Sequence, residues 1–316
     1  MGCKKPYLPP AVSSSKNYLV VEGVINSGTD STIIKLSRTV HLSSGTTINP
    51  ETNAVLIVES DQNIIYPLTE ATDGFYATAG LNLDITRKYR LRIKTVGNQQ
   101  YLSDFVQVKT TPPIDSVGFI IEKNGLQIYA NAHDIQNNTR YYRWDYVETW
   151  QFHSEFQSNL ISDGQEIVQR TPAQMIYNCF GNNTASSIVL GSSAKLKQDE
   201  IFQNPITTIA STSEKIETKY SILLRQYALT GDAFTFWQNL KTSTEQLGSI
   251  FDAQPSNIKA NIHNVNNMAE PVIGYVSACT VQTKRIFISN TQLPKSWPDE
   301  SLLEIYNCTL LPGMPR

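Results

Sequence analysis

A chain of 316 residues with 26 basic and 28 acidic side chains, net charge -2, has core enough for two domains and no electrostatic footprint for nucleic acid or another polyanion. No run approaches the roughly eighteen apolar residues that a helical bilayer span needs, so attachment to a membrane would have to come through a covalent anchor. Charged residues make up 17% of the chain and tyrosine is frequent at 15, a balance that suits half-buried strands better than helical bundles.

At the head of the chain, Gly2-Cys3 fits the end of a lipobox, with a small residue before a cysteine that is to be acylated. Only Met1 stands upstream, where a lipoprotein signal would have a charged and then an apolar stretch; the bland alternative is an ordinary cysteine behind Met1-Gly2. Myristoylation fits less well, because Pro6 stands where that pattern wants Ser or Thr. Residues 4–16, with Pro6, Pro9, Pro10 and then Ser13-Ser14-Ser15, read as a flexible tether, so 1–16 is set apart as anchor and leash.

From Asn17 the texture changes to short branched and aromatic runs: Tyr18 to Ile25, Thr32 to Thr39, Ala54 to Glu59, Gly74 to Ala77, Tyr89 to Thr95 and Asp104 to Lys109. The alternation in Tyr89-Arg90-Leu91-Arg92-Ile93-Lys94 puts Tyr89, Leu91 and Ile93 on one face and three cations on the other. With turn signals at Ser27-Gly28, Asp73-Gly74 and Gly97-Asn98, the spacing predicts an immunoglobulin-like β-sandwich over 17–111, closed by Thr111-Pro112-Pro113.

Residues 112–316 predict a second β-rich domain with one helical insertion. Asn124-Gly125 between two alternating runs is a hairpin cue, Tyr141 to Trp150 an aromatic strand, and 187–191, 220–227, 272–279 and 284–288 further strands. The one clear helix is 231–247, with Thr230 as N-cap, an apolar stripe of Ala233, Phe236, Trp237, Leu240, Thr244 and Leu247, and Gly248 as its stop. The fold class is thus mainly β.

Tyr142, Trp144 and Tyr146 share one strand face and make a candidate sugar platform, against core packing as the ordinary fate of large aromatics. The amide-rich stretch from Phe251 to Asn264, with Asn257, Asn261 and His263, is a candidate binding loop, against a crossover whose amides cap turns. His41, His133, His153 and His263 open no ligand motif, so no metal or other cofactor is expected, and Ser192-Ser193-Ala194-Lys195 lacks the companion elements of a Ser-x-x-Lys nucleophile. Beyond Cys3, Cys179, Cys279 and Cys308 admit one disulfide, Cys279 with Cys308 or Cys179 with Cys308, or three reduced thiols.

Leu19-Val20-Val21-Glu22-Gly23, Leu36-Ser37-Arg38-Thr39, the strand Tyr141 to Trp150, Gln226-Tyr227-Ala228-Leu229-Thr230, Phe236-Trp237, Leu247 to Pro255 and Pro271-Val272-Ile273-Gly274-Tyr275 together resemble the Bacteroidota domain-of-unknown-function 4249 lipoproteins. The resemblance implies a non-enzymatic outer-membrane lipoprotein, acylated at Cys3 and facing the cell surface, that acts as an accessory or ligand-binding subunit of a TonB-dependent receptor in nutrient uptake. It implies no chemistry and no catalytic residues. Lys4 and Lys5 depart from the acidic residues that surface-exported lipoproteins of that phylum often carry after the cysteine. Two other readings stand beside it: a structural or assembly partner of an outer-membrane barrel, and a glycan- or peptide-active enzyme, which would need two carboxylates facing one cleft.

Overall fold

The computed structural model describes residues 17–40, 48–154, 156–162, 164–245 and 259–297. In chain order the strands are β1 (Leu19–Asn26), β2 (Thr32–Arg38), β3 (Asn49–Pro50), β4 (Val55–Ser60), β5 (Ile65–Thr72), β6 (Phe75–Thr78), β7 (Lys88–Lys94), β8 (Gln100–Ser103) and β9 (Val106–Lys109). There follow β10 (Ile114–Glu122), β11 (Gly125–Asp134), β12 (Tyr141–His153), β13 (Leu160–Ser162), β14 (Ile167–Gln169), β15 (Asn178–Thr184), β16 (Val189–Ser192), β17 (Asp199–Ala210) and β18 (Lys219–Ala228). Helix α1 (Gly231–Glu245) precedes β19 (Ile262–Asn264), β20 (Ala278–Cys279) and β21 (Val281–Ser289). Asparagine takes the left-handed corners at Asn53, Asn63, Asn82, Asn98 and Asn137, where its short amide tolerates positive φ.

The chain divides into two compact units, 1–108 with 257–278, and 109–256 with 279–316. The described residues 259–278, expected in the second region, therefore belong to the first. In that unit the expected sandwich is replaced by a closed barrel. Strands β7, β4, β5, β6, β2, β1, β20 and β9 follow one another in a ring, and β9 pairs back onto β7 through Lys88↔Gln107 and Tyr89↔Val106. Closure removes the open edges that a sandwich keeps.

At Gly23 the burial pattern of β1 changes. Leu19 and Val21 point inward before it, whereas Val24, Ile25 and Asn26 are all buried after it. Its φ is +138°, and a Cβ there would lie 2.5 Å from the Ile33 carbonyl oxygen, so only glycine lets β1 turn so close to β2. On β7, Tyr89, Leu91 and Ile93 are buried as the alternation requires. Outside the core, Arg90 and Arg92 close on Glu59 at 3.0 and 2.8 Å, and these guanidinium hydrogen bonds, Arg90's first, hold the Glu59 carboxyl below the usual carboxylate range.

Besides the small two-stranded β13-β14, the second unit is built of two main sheets, β10-β11-β17 and β15-β12-β18-β21 with β16 beside β12. Their inner faces share one core, in which Leu126, Ile128 and Ala130 of β11 meet Tyr142 and Trp144 of β12 and Ile222 and Leu224 of β18. Two sheets packed face to face thus occur here, in the region that follows Thr111, rather than before it. Helix α1 covers part of the opposite face of the larger sheet. Thr230 caps it by accepting from the Ala233 amide at 3.2 Å, Ala233 and Phe236 are buried, and Tyr141 meets Phe234 at 4.9 Å between ring centroids. Arg143 lies between the Tyr227 and Trp237 rings, 4.5 and 4.4 Å from their centroids. Thr244 is exposed rather than part of the stripe, and Leu247 and Gly248 lie outside the described residues.

The run 272–279, expected as a strand, enters the sheet only at Ala278–Cys279. The stretch before it runs parallel to β1, bonding Val21 N to Ile273 O and Ile25 N to Ser277 O, with Gly274 at φ +139° against the Val21 carbonyl. That left-handed residue breaks the regular ladder.

Candidate functional site

The second unit has a cleft lined by Ser211, Thr212, Ser213, Glu214, Ile216, Glu217, Asn290, Leu293, Pro294 and Trp297. One wall is a single 3-10 turn, Glu214–Ile216. Ser213 caps it by accepting from the Lys215 amide, and Ile216 at 4% exposure anchors it in the core. Side chains three apart eclipse one another in a 3-10 turn, so Glu214 and Glu217 come to one side of it. The other wall is a second such turn, Asn290–Gln292, capped by Ser289; Asn290 Nδ2 donates to the Ile216 carbonyl at 3.2 Å and locks the two turns together. Leu293 is buried beneath, and Trp297 packs partly against the core.

Around the cleft the polar groups are paired. Trp150 Nε1 donates to Glu214 at 3.1 Å, and His153 Nδ1 lies 3.2 Å from Glu217 while its ring stacks on Tyr177 at 4.5 Å. Behind them Glu148, 2% exposed, accepts from Lys215 at 2.7 Å, Tyr220 at 2.7 Å and Asn183 at 2.9 Å. Burial alone would push the Glu148 carboxyl up, but these three donors outweigh it and hold the group ionised below its usual range. Burial, then the Glu148 charge, pushes the Tyr220 hydroxyl far above the phenol range, so it serves only as a donor. What faces the solvent is a set of acceptors, two carboxylates and three Ser and Thr hydroxyls, beside one indole. Such a set suits a small ligand rich in hydroxyl or ammonium donors.

The residues singled out from the sequence lie elsewhere. Tyr142, Trp144 and Tyr146 are 0%, 1% and 6% exposed, so no sugar ring can stack on them. Tyr142 and Trp144 stack on each other at 5.6 Å, Tyr142 donates to Asp199, and Trp144 Nε1 donates to Gln226 at 2.8 Å. Asn261 is a buried clip in the first unit, its amide donating to the Val276 carbonyl at 2.9 Å and accepting from the Val276 amide at 2.8 Å. His263 sits opposite Leu102 in the β19–β8 pair. Cys279 is a free, fully buried thiol, and desolvation pushes its pKa up to about 11. Cys3, Asn257 and Cys308 lie outside the described residues. Among the described residues no group of three or more His, Cys, Asp or Glu is placed to hold a metal ion.

The cleft residues escaped the sequence reading because Glu214 and Trp297 come from distant parts of the chain. Ser213-Glu214-Lys215-Ile216-Glu217 was the available signal, a capping serine followed by two acids three apart.

These features define a mainly β protein of two units, a closed barrel and a layered pair of sheets with a polar cleft. The model of the family described as Domain of unknown function (DUF4249) matches residues 4–285, and the chain belongs to that family. Among solved structures, a DUF3823 family protein from Bacteroides ovatus ATCC 8483 aligns at 11% identity over 67% of this chain and 91% of its own, with a TM-score of 0.16. No curated protein matches.

Proposed function

We propose that the chain is a non-enzymatic lipoprotein, held at the outer-membrane surface through acylated Cys3, that serves as an accessory or ligand-binding subunit of a TonB-dependent transporter in nutrient uptake. The observation that favours binding over turnover is the state of the cleft's carboxylates. Glu214 already accepts from Trp150 and Glu217 from His153, so both are positioned as fixed acceptors for a ligand. The setting is the one that the sequence resemblance implies. Acyl chains contribute about 0.8 kcal/mol per buried methylene, so an anchored body with a short tether reaches weak contacts on a barrel at high local concentration.

The test is affinity purification of the full chain from native outer membranes in mild detergent, with mass spectrometry of what is retained. A stoichiometric TonB-dependent receptor is the expected result. Recovery of the chain alone, or Cys3→Ser protein that stays with the membrane, overturns the reading. A receptor recovered with no effect of Glu214→Gln or Trp297→Ala on ligand uptake would instead favour the assembly-partner role.

A further inference from the structure

A strand at the edge of a sheet presents unpaired amides and carbonyls, and β proteins guard such edges with lysine, proline, bulges or covering segments. In the larger sheet of the second unit one edge is guarded. β21 carries Lys284 and Arg285, and Lys284 Nζ reaches across to the carbonyls of Ile114 and Asp115 at 3.2 and 2.7 Å. The other edge is β15, Asn178-Cys179-Phe180-Gly181-Asn182-Asn183-Thr184, which has no charge and no proline. It pairs with β12 in unbroken register from Val147↔Thr184 to His153↔Asn178, without a bulge, and β12 is its one partner among the described strands.

The alternation of β15 sorts its side chains. A Cβ on Gly181 would lie 2.3 Å from the Trp150 ring, and Asn183 donates to Glu148, so the odd-numbered positions stand on the same side of the sheet as those two residues. Phe180 therefore stands on the outer face, 77% exposed. The chain leading into β15 continues this character: Phe156, Leu160, Ile167 and Ile176 are 56%, 54%, 74% and 51% exposed. Ser154 N bonded to Tyr177 O at 2.8 Å closes that excursion at the end of the β12–β15 pair.

We propose that β15 is a docking edge for an extended strand of a partner polypeptide, which joins the sheet outside β15 and sets an apolar side chain beside Phe180. A lipid surface would cover the apolar side chains but leave the backbone edge without hydrogen-bond partners, whereas an added strand satisfies both. No β15 residue lines the cleft, although both rest on β12, and failure of peptide binding at this edge leaves the ligand-binding reading untouched.

The test uses the full chain and a phage-displayed library of random linear peptides. Selected peptides should alternate β-branched or aromatic residues with polar ones, and the bound peptide should slow amide hydrogen exchange across 178–184. Phe180→Lys and, separately, Asn182→Lys should each weaken binding by about tenfold or more while leaving the melting temperature unchanged. The proposal is overturned if no peptide is selected, if exchange at 178–184 is unaffected, or if both variants bind as the parent does. It is also overturned if the parent chain alone forms a dimer that Phe180→Lys converts to monomer, which would make the occupant a second copy.

Discussion

In the first unit β9 returns to β7, and each of the eight strands in the ring has a neighbour on both sides; in the second, β15 and β21 end a sheet that stays open. The difference decides where recognition can occur. The barrel's polar groups are spent on holding a late segment to an early one. Arg38 bonds Glu51 at 2.6 Å and the Tyr101 hydroxyl at 3.3 Å, Tyr101 donates to Glu270 at 2.8 Å, and Asn264 reaches the same carboxylate at 2.6 Å. The second unit closes its core with aromatics and leaves turns, a cleft and the β15 edge at its periphery. Closure contributes stability at the expense of backbone left free for partners.

The largest effect that would separate the two units comes from Trp144→Ala. The ring is 1% exposed and stacks on Tyr142, and its loss strands Gln226, which otherwise bridges Trp144 and the Pro112 carbonyl. A cost of about 3–5 kcal/mol is expected. Urea titration followed by amide exchange should show it as lost protection at 126–132 and 220–228, and a change under 1 kcal/mol would mean that this core does not hold the two sheets together.

The barrel's counterpart is Asn261→Ala. Removing the side chain leaves both the amide and the carbonyl of Val276 without their partner in a buried place, which should cost about 2–4 kcal/mol. Chymotryptic cleavage within 259–278 should rise accordingly. Unchanged cleavage would show that the segment is held by the Arg38–Tyr101–Glu270 chain instead.

Much of this architecture is legible in the sequence, and the parts that are not share a physical cause. Period-two alternation reports parity, so the faces of β7 and β12 could be read directly, and a hairpin forms at the Asn-Gly signal one residue early, its turn being Lys123-Asn124 because Gly125 already pairs with Glu122. Parity does not report depth: Tyr142, Trp144 and Tyr146 share a face whether that face meets a ligand or a second sheet. Barrel closure depends on β20 inserting between β1 and β9 from far along the chain, which no local pattern encodes. β17 went unread because Gln203 at φ +46° and Pro205 interrupt its alternation and coincide with register shifts against β11. The cleft fails to show in sequence for the same reason as the barrel, since its two walls lie far apart in the chain and meet through Asn290, which bonds the Ile216 and Thr218 carbonyls.

An acid titration sharpens the comparison further. Glu148 has its pKa depressed from an ordinary 4.5, so its contribution to the second unit is present above that value and is lost as pH falls through the lower folded one. Glu148→Gln should cost about 2 kcal/mol at neutral pH, because the one amide oxygen can still accept from Tyr220 while Lys215 and Asn183 lose the carboxylate oxygen they share. The variant should also have a flatter acid-denaturation profile in fluorescence. A parent and variant of equal acid sensitivity would assign the acid transition to Glu59 in the barrel.

The smallest effect belongs to His133, whose Nδ1 lies 2.7 Å from Asp115 with both side chains more than a third exposed. The Asp115 hydrogen bond, followed by its charge, raises the imidazole pKa above the ordinary 6.5, with lesser help from the charges of Asp199 and Glu200. A raised folded pKa means that the pair contributes most below the unfolded value and loses its contribution as pH climbs through the folded one. Solvent screening keeps that contribution below about 1 kcal/mol. Proton NMR of the imidazole should therefore show a midpoint above 6.5 that Asp115→Asn lowers without returning it fully, since Asp199 and Glu200 remain. If Asp115→Asn left the midpoint in place, the field at this corner would come from the two acids at the start of β17, and His133 would report on that strand rather than on its nearest neighbour.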